Sequence, residues 1–505
     1  MLDGQQAGLL KAAAGCRTPR RWTRRLLWTC VCFLSLITAL WQWENWRSAR
    51  ELAAAHRRVV ERLGTDDPMA FMPPKVADEQ NYFANPVLES WLRVTNPETG
   101  RMKYTPPAKA LLPKAFIIPE TFEQEDGETE RLDLNSWFKK RGIQTNEAPA
   151  VVLARELGDG NGLLPKLAEG LNKPFSIIKP GQQEAMEATR GNPWQTALPE
   201  FQNMTEFQRQ LGLHLRSAAL VGDSDKVANT ALIMLRFSEA PARGGMIGCL
   251  MPLGLHIITF DALHEALSHP AWTEESLGRL QLRLGQFDDL ENHEKAHACE
   301  ILMMFRALAH IRSHPDALGD VTGNIPNTSS GAARMVESVF RLGMRHGPVG
   351  WHDANLAFYA DCMLEQLGPP GRDAWLGASS RDEKVKQWSN EANKWPNPRR
   401  VFGVIALPNL GNITQVSAET LFHRRCLIIA CALEKHRLRH GAFPASLDTV
   451  KDDLKLFSLD DPARPGSPLG YRLEKDGYLL WSAGPDALDD GGVKDKDWLW
   501  RMRRG

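Results

Sequence analysis

Apolar and polar positions follow three different patterns along this chain. Residues 26–43, LLWTCVCFLSLITALWQW, run for eighteen positions without a charge. That length matches a hydrocarbon core and predicts a transmembrane helix. Residues 44–65 then carry charges among their apolar positions, ARELAAAHRRVVERL, and read as a short helical stalk. Residues 66–147 are richer in Pro, Asn and Gly, with few periodic runs, and predict an irregular segment with some short strands.

From residue 148 onward the period becomes helical. Phe207, Leu211, Leu215 and Ala218 form one stripe, and Gly222 stops it. Asp223 or Ser224 then caps a second helix carrying Val227, Ala231, Met234 and Leu235. This antiparallel pair is loosely like a tetratricopeptide unit, but no regular 34-residue period follows, which argues against a repeat array. Further helices are expected over 256–267, 274–284, 288–311, 332–344 and 354–367, with turn-rich breaks at 315–331 and 368–400. Residues 244–260, GGMIGCLMPLGLHIITF, lack charge for seventeen positions. They fit a buried core helix, or a second membrane crossing interrupted by Gly248, Pro252, Gly254 and His256.

The last segment changes period. Ser417 is a plausible N-cap, Glu419 suits the first turn, and Phe422, Cys426, Ile429 and Leu433 recur at helical spacing. Lys435, Arg437 and Arg439 suit the carbonyl end, and Gly441 and Pro444 end the helix. Two strand-like runs, 471–473 and 478–481, flank Lys475-Asp476-Gly477, a hairpin signal. The expected fold class is therefore mainly α: a transmembrane helix, an irregular segment, a multi-helix body over 148–416, and a small α+β domain over 417–505.

Charge fixes the expected topology. Arg17, Arg20, Arg21, Arg24 and Arg25 precede the apolar run, which keeps residues 1–25 in the cytoplasm. Trp41, Trp43 and Trp46 suit the far interface, and no small-x-small cleavage site follows. An uncleaved signal anchor in a bacterial inner membrane is expected, with the bulk of the chain periplasmic and open to protein partners there. The whole chain carries 61 basic and 61 acidic side chains, so no global field recruits nucleic acid. Five scattered cysteines beyond the anchor do not form a disulfide framework; Cys426 and Cys431 point to different helix faces. They read as buried small hydrophobes.

One motif offers chemistry. His293-Glu294-Lys295-Ala296-His297 is an H-E-x-x-H, which on a helix lets His293 and His297 share a zinc ion with Glu294 as general base. Neither G-x-x-H nor a distinctive downstream glutamate supplies a third ligand, and Lys295 opposes a second cation nearby. The same residues also fit a packed stripe: Leu290, His293, His297, Ile301, Met304 and Leu308. P-loop, dinucleotide-binding and nucleophile-elbow motifs are absent.

The final residues carry a specific vocabulary: Gly441-Ala442-Phe443-Pro444, Ser446-Leu447, Asp461-Pro462, Gly470-Tyr471 and Ser482-Ala483-Gly484-Pro485-Asp486, then Asp495 and Asp497 before Trp498. In this order they resemble the C-terminal domain of the major pseudopilins of type II secretion systems. The whole chain resembles bacterial membrane-anchored proteins with such a tail. The resemblance implies calcium bound by Asp486, Asp495 and Asp497, with Asp489 and Asp490 beside them, since oxygen-rich loops suit that cation. An acidic surface turn without an ion fits the same residues. Unlike a pseudopilin, the chain sets its membrane helix about 370 residues before this module and lacks the Gly-Phe processing junction. The expected role is a non-catalytic, membrane-anchored scaffold or interaction protein. The alternatives are a membrane-bound zinc metallopeptidase and an accessory component of a type II secretion or pilus-like system.

Overall fold

A computed structural model describes residues 19–71, 76–86, 88, 124–125, 128–129, 133–140, 142–158, 163–178, 200–239, 246–287, 289–313, 346–369, 378–393, 397–407 and 410–504. Its helices in chain order are α1 (Pro19–Leu63), α2 (Leu134–Lys140), α3 (Pro149–Gly158), α4 (Leu163–Ala168), α5 (Glu200–Val221), α6 (Ser224–Ser238) and α7 (Met246–Leu267). They continue with α8 (Glu274–Leu284), α9 (Asp289–Ser313), α10 (Gly350–Leu367), α11 (Ala378–Asn393), α12 (Val401–Ala406), α13 (Leu410–His440) and α14 (Lys451–Leu454). The strands are β1 (Gln124–Glu125), β2 (Glu128–Thr129), β3 (Asp460–Asp461), β4 (Arg464–Pro468), β5 (Gly470–Glu474), β6 (Gly477–Ser482) and β7 (Trp498–Arg503). The protein is mostly helical, with one long apolar helix at its N-terminal end and a small antiparallel sheet at the other. Two compact units divide it: Met1–Arg62 with Leu308–Asp361 and Ser389–Ala406, and Leu63–Ala307 with Cys362–Trp388 and Leu407–Gly505.

In the first unit α1 does two jobs. Pro19 opens it, as proline can where no amide partner is needed, and Gly64 at φ +75 follows its last residue. Its apolar half lies bare, with Leu26, Trp28, Phe33 and Leu34 all more than 60 % exposed, and it is long and apolar enough to cross a membrane. The hydroxyls of Thr29 and Thr38 donate to the carbonyls of Arg25 and Leu34, so neither would be unsatisfied in an apolar surrounding.

The second half of α1 was expected to be a stalk. Instead Ser48, Ala55 and Val59 are fully buried. Glu44 and Glu51, on the same stripe as Ser48 and Ala55, take both arms of Arg399. The Gly350 amide donates to Asn45 Oδ1 at 2.8 Å, and a Cβ on Gly350 would sit 2.8 Å from the Glu44 carbonyl oxygen. Only glycine lets α10 begin this close to α1. Arg58 closes the far end on Asp361 at 2.6 Å. Asn355 ties α10 to α12: its amide donates to Trp351 and Pro398 carbonyls, and its oxygen accepts from Gly403 N at 2.9 Å.

The second unit is built on the α5–α6 pair. Gly222 takes φ +80 and the Asp223 carboxylate caps α6 by accepting from Lys226 N at 3.1 Å, as the sequence predicts. The uncharged 244–260 segment falls mostly within α7, where Met251, Leu253, Leu255 and Phe260 are buried in the core. Among the described residues α1 alone qualifies as a membrane span. Between α5, α6 and α7 the Gln208 amide donates to the Met234 carbonyl at 2.9 Å and the Ser238 hydroxyl at 3.0 Å. Arg216 of α5 meets Glu265 of α7 at 2.5 Å, both almost wholly buried.

Helix α13 begins earlier than expected. It runs from Leu410, so Ser417 is a buried mid-helix residue and not a cap. Local capping chemistry suggested a start there, and packing overrides it. The expected 416/417 boundary also falls inside one hydrophobic cluster, which joins Leu277 and Leu280 of α8, Phe422 and Leu433 of α13, and Tyr478, Trp500 and Met502 of the sheet. Helix α11 lies where turns were expected. The expected helix at 332–344 and most of 66–147 lie outside the described residues.

The sheet has the order β5-β6-β7, antiparallel throughout. Glu474 pairs with Gly477, leaving Lys475-Asp476 as a two-residue hairpin loop. A Cβ on Gly470 would lie 2.0 Å from the Trp481 ring, and one on Gly477 would lie 1.8 Å from the Met502 carbonyl oxygen. Gly477→Ala is therefore expected to push β7 off β6 and to cost about 2 kcal/mol. Limited proteolysis should then cut within 498–504 faster than in the parent protein; unchanged cleavage would contradict this.

Candidate functional site

Helix α9 places His293 and His297 one turn apart on the face that also carries buried Ile301 and Met304. Four positions of the expected stripe, His293, His297, Ile301 and Met304, are buried; the side chains of Leu290 and Leu308 lie outside the described residues. His293 Nε2 lies 3.3 Å from His297 Nδ1, and the Ser417 hydroxyl of α13 lies 3.4 Å from His293 Nδ1. This order permits two proton arrangements, with each ring nitrogen of His293 donating in one and accepting in the other. Two nitrogens on one tetrahedral zinc would also stand roughly 3.3–3.4 Å apart. The separation alone therefore suits either a hydrogen bond or a shared ion. Glu294 is only partly buried and Lys295 is exposed. Among the described residues no group of three or more His, Cys, Asp or Glu side chains is placed to hold a metal.

Burial pushes the His293 imidazole down from 6.5 to about 4. Its neutral form is the one the fold accepts. Above pH 6.5 both folded and unfolded states carry it neutral; below that, only the unfolded chain takes up the proton until about pH 4. Stability tied to His293 is thus complete above pH 6.5 and lost on acidification, by about 3 kcal/mol in total. His293→Gln should flatten the pH dependence of unfolding between pH 4 and 6.5 by one proton. Parallel curves for the two proteins would show that this site does not carry the effect.

The C-terminal acidic loop is organised by amides. Asp497 is buried, and its carboxylate accepts from the backbone N–H groups of Gly492 at 2.7 Å, Val493 at 3.0 Å and Asp490 at 3.3 Å. Gly491 and Gly492, both at φ +79, let the chain curl around it. Asp489 accepts from the Trp481 indole at 2.9 Å and from Gly491 N at 3.0 Å, and faces Arg464 at 3.3 Å. The indole hydrogen bond, then the amide, hold this carboxyl below its ordinary range. Asp490 pairs with Lys496 at 2.9 Å, Asp486 accepts from Leu488 N at 3.0 Å, and Asp495 is exposed at φ +69. The five aspartates share one loop, but Asp486, Asp489, Asp490 and Asp497 each accept from a separate set of donors.

The signature words of the tail have structural roles. Phe443 packs edge-on against Tyr478, the Tyr471 hydroxyl donates to the Pro444 carbonyl at 2.6 Å, and Tyr478 stacks on Trp500. Asp461, which the sequence offers only as part of the Asp461-Pro462 word, has a structural role. Its buried carboxylate accepts from Ala463 N and Ala483 N, each at 2.9 Å, and from the Ser482 hydroxyl. The Asp461-Pro462 and Ser482-Ala483-Gly484 words are thus two halves of one clasp. Their joint presence was the available signal.

Cys299, Cys362, Cys426 and Cys431 are buried thiols outside any disulfide, and His436 and His440 lie at the open end of α13. Comparisons of the chain with protein families, curated proteins and solved structures find no match.

Proposed function

We propose that this protein is a membrane-tethered scaffold whose folded units lie outside the cytoplasm and bind other proteins there. The observation that carries the reading is α1. One helix supplies both a bare apolar rod and, without a break, a packed spine of the first unit. A tether built into the fold holds that unit at a fixed height above the bilayer. The arginines at positions 20, 21, 24 and 25 support a cytoplasmic N-terminus. The loop carboxylates of Asp489, Asp490 and Asp497 are engaged with amides, an indole and ion-pair partners, which favours a structural use of that loop.

Alkaline phosphatase fused after Gly505 should be active in cells, and a cytosolic-only fluorescent reporter at the same place should be dark. The reverse pattern would overturn the topology and the scaffold role with it. A second reading, zinc peptidase chemistry, is favoured by the His293–His297 separation of 3.3 Å alone. Stoichiometric zinc in the purified protein, with a peptidase activity lost in Glu294→Gln, would replace the scaffold reading.

A further inference from the structure

The start of α10 lies at the level where the apolar run of α1 ends. Gly350 touches Glu44 and Asn45, the first residues past Trp43, through the close contact and hydrogen bond described above. Two residues of helix are only about 3 Å of rise, whereas the headgroup layer is roughly 5–8 Å deep on each side. The residues just before Gly350 are therefore held at headgroup depth. At that place Val349 is 43 % exposed, next to the partly exposed Pro348 and Trp351.

The same belt of α1 carries two stacked pairs. The Arg47 guanidinium lies 5.4 Å from the Trp43 ring centre and Arg50 lies 4.8 Å from that of Trp46. Indole rings settle at the lipid–water boundary, and guanidinium groups beside them face lipid phosphate. Glu44 and Glu51, which would repel that phosphate, are ion-paired with Arg399, and Glu51 also with Arg47 at 3.0 Å.

We infer that the segment around Pro348, Val349 and Trp351 is a second membrane contact, dipping into the outer headgroup layer beside α1. This rests on α1 crossing the bilayer, as proposed above. Leu40 and Trp43, within about a turn of Glu44 on α1, are exposed at 56 % and 52 %, so the same lipid would meet them and the Val349 segment.

The full chain, with Cys16, Cys30, Cys32 and Cys249 changed to alanine, can carry a single bimane probe at Val349→Cys, Leu40→Cys or Glu61→Cys. Nanodiscs would contain phosphatidylcholine and phosphatidylglycerol, with a nitroxide on the headgroup or near the top of the acyl chain. Glu61 is exposed and lies about 27 Å along α1 from Trp43, beyond reach of the quencher. The probe at Val349 should lose about half or more of its emission, as at Leu40, while the one at Glu61 should keep it. Quenching at Leu40 with none at Val349 would overturn the second contact and leave the span standing. No quenching at Leu40 would remove the span and this inference together.

Discussion

Glu265→Ala is expected to destabilise the second unit by about 3–5 kcal/mol. Glu265 and Arg216 join α7 to α5 at 2.5 Å with almost no solvent around either. Deleting the carboxylate takes the paired anion from a guanidinium in the interior, and the charge lost from a buried pair makes the loss large. The same argument predicts a second result. Arg216→Met combined with Glu265→Leu removes both charges, and should recover most of the stability lost in the single variant. Denaturant unfolding of the purified chain measures both. A double variant as weak as Glu265→Ala would show that shape, and not charge, governs the site.

Asp461→Ala should cost roughly 3–4 kcal/mol, because three donors lose one charged acceptor at once. The donors are Ala463 N, Ala483 N and the Ser482 hydroxyl, all inside the C-terminal clasp. Asp461→Asn retains one acceptor oxygen and should lose less. The damage should be visible at a distance, since Trp500 and Tyr478 belong to the same sheet and to the main core. Near-ultraviolet dichroism of these aromatics should weaken in step with stability. An unaltered spectrum with unaltered unfolding would mean that the clasp is dispensable.

What could be read in advance was local. The Gly222–Asp223 stop and cap, the bounds of α8 and the Lys475-Asp476-Gly477 hairpin each depend on a few adjacent residues, and the structure places them where the sequence does. Features set by distant partners were not legible. The true start of α13 goes with the burial of Ile413, Thr414 and Ser417, which local capping chemistry does not foretell. Helix α11, rich in charges, shows no apolar stripe, yet Val385 is buried. Strand β7 was signalled by the alternation that buries Trp500 and Met502, which the acidic loop before it obscured. The histidine spacing was evident; its neighbour Ser417, 124 residues away in sequence, was not.

From position 20 to position 63 the chain contains neither glycine nor proline, so α1 has no swivel. Under the proposed topology, the first unit keeps one attitude relative to the buried rod. A sideways pull on it would tilt the buried rod instead of bending a joint.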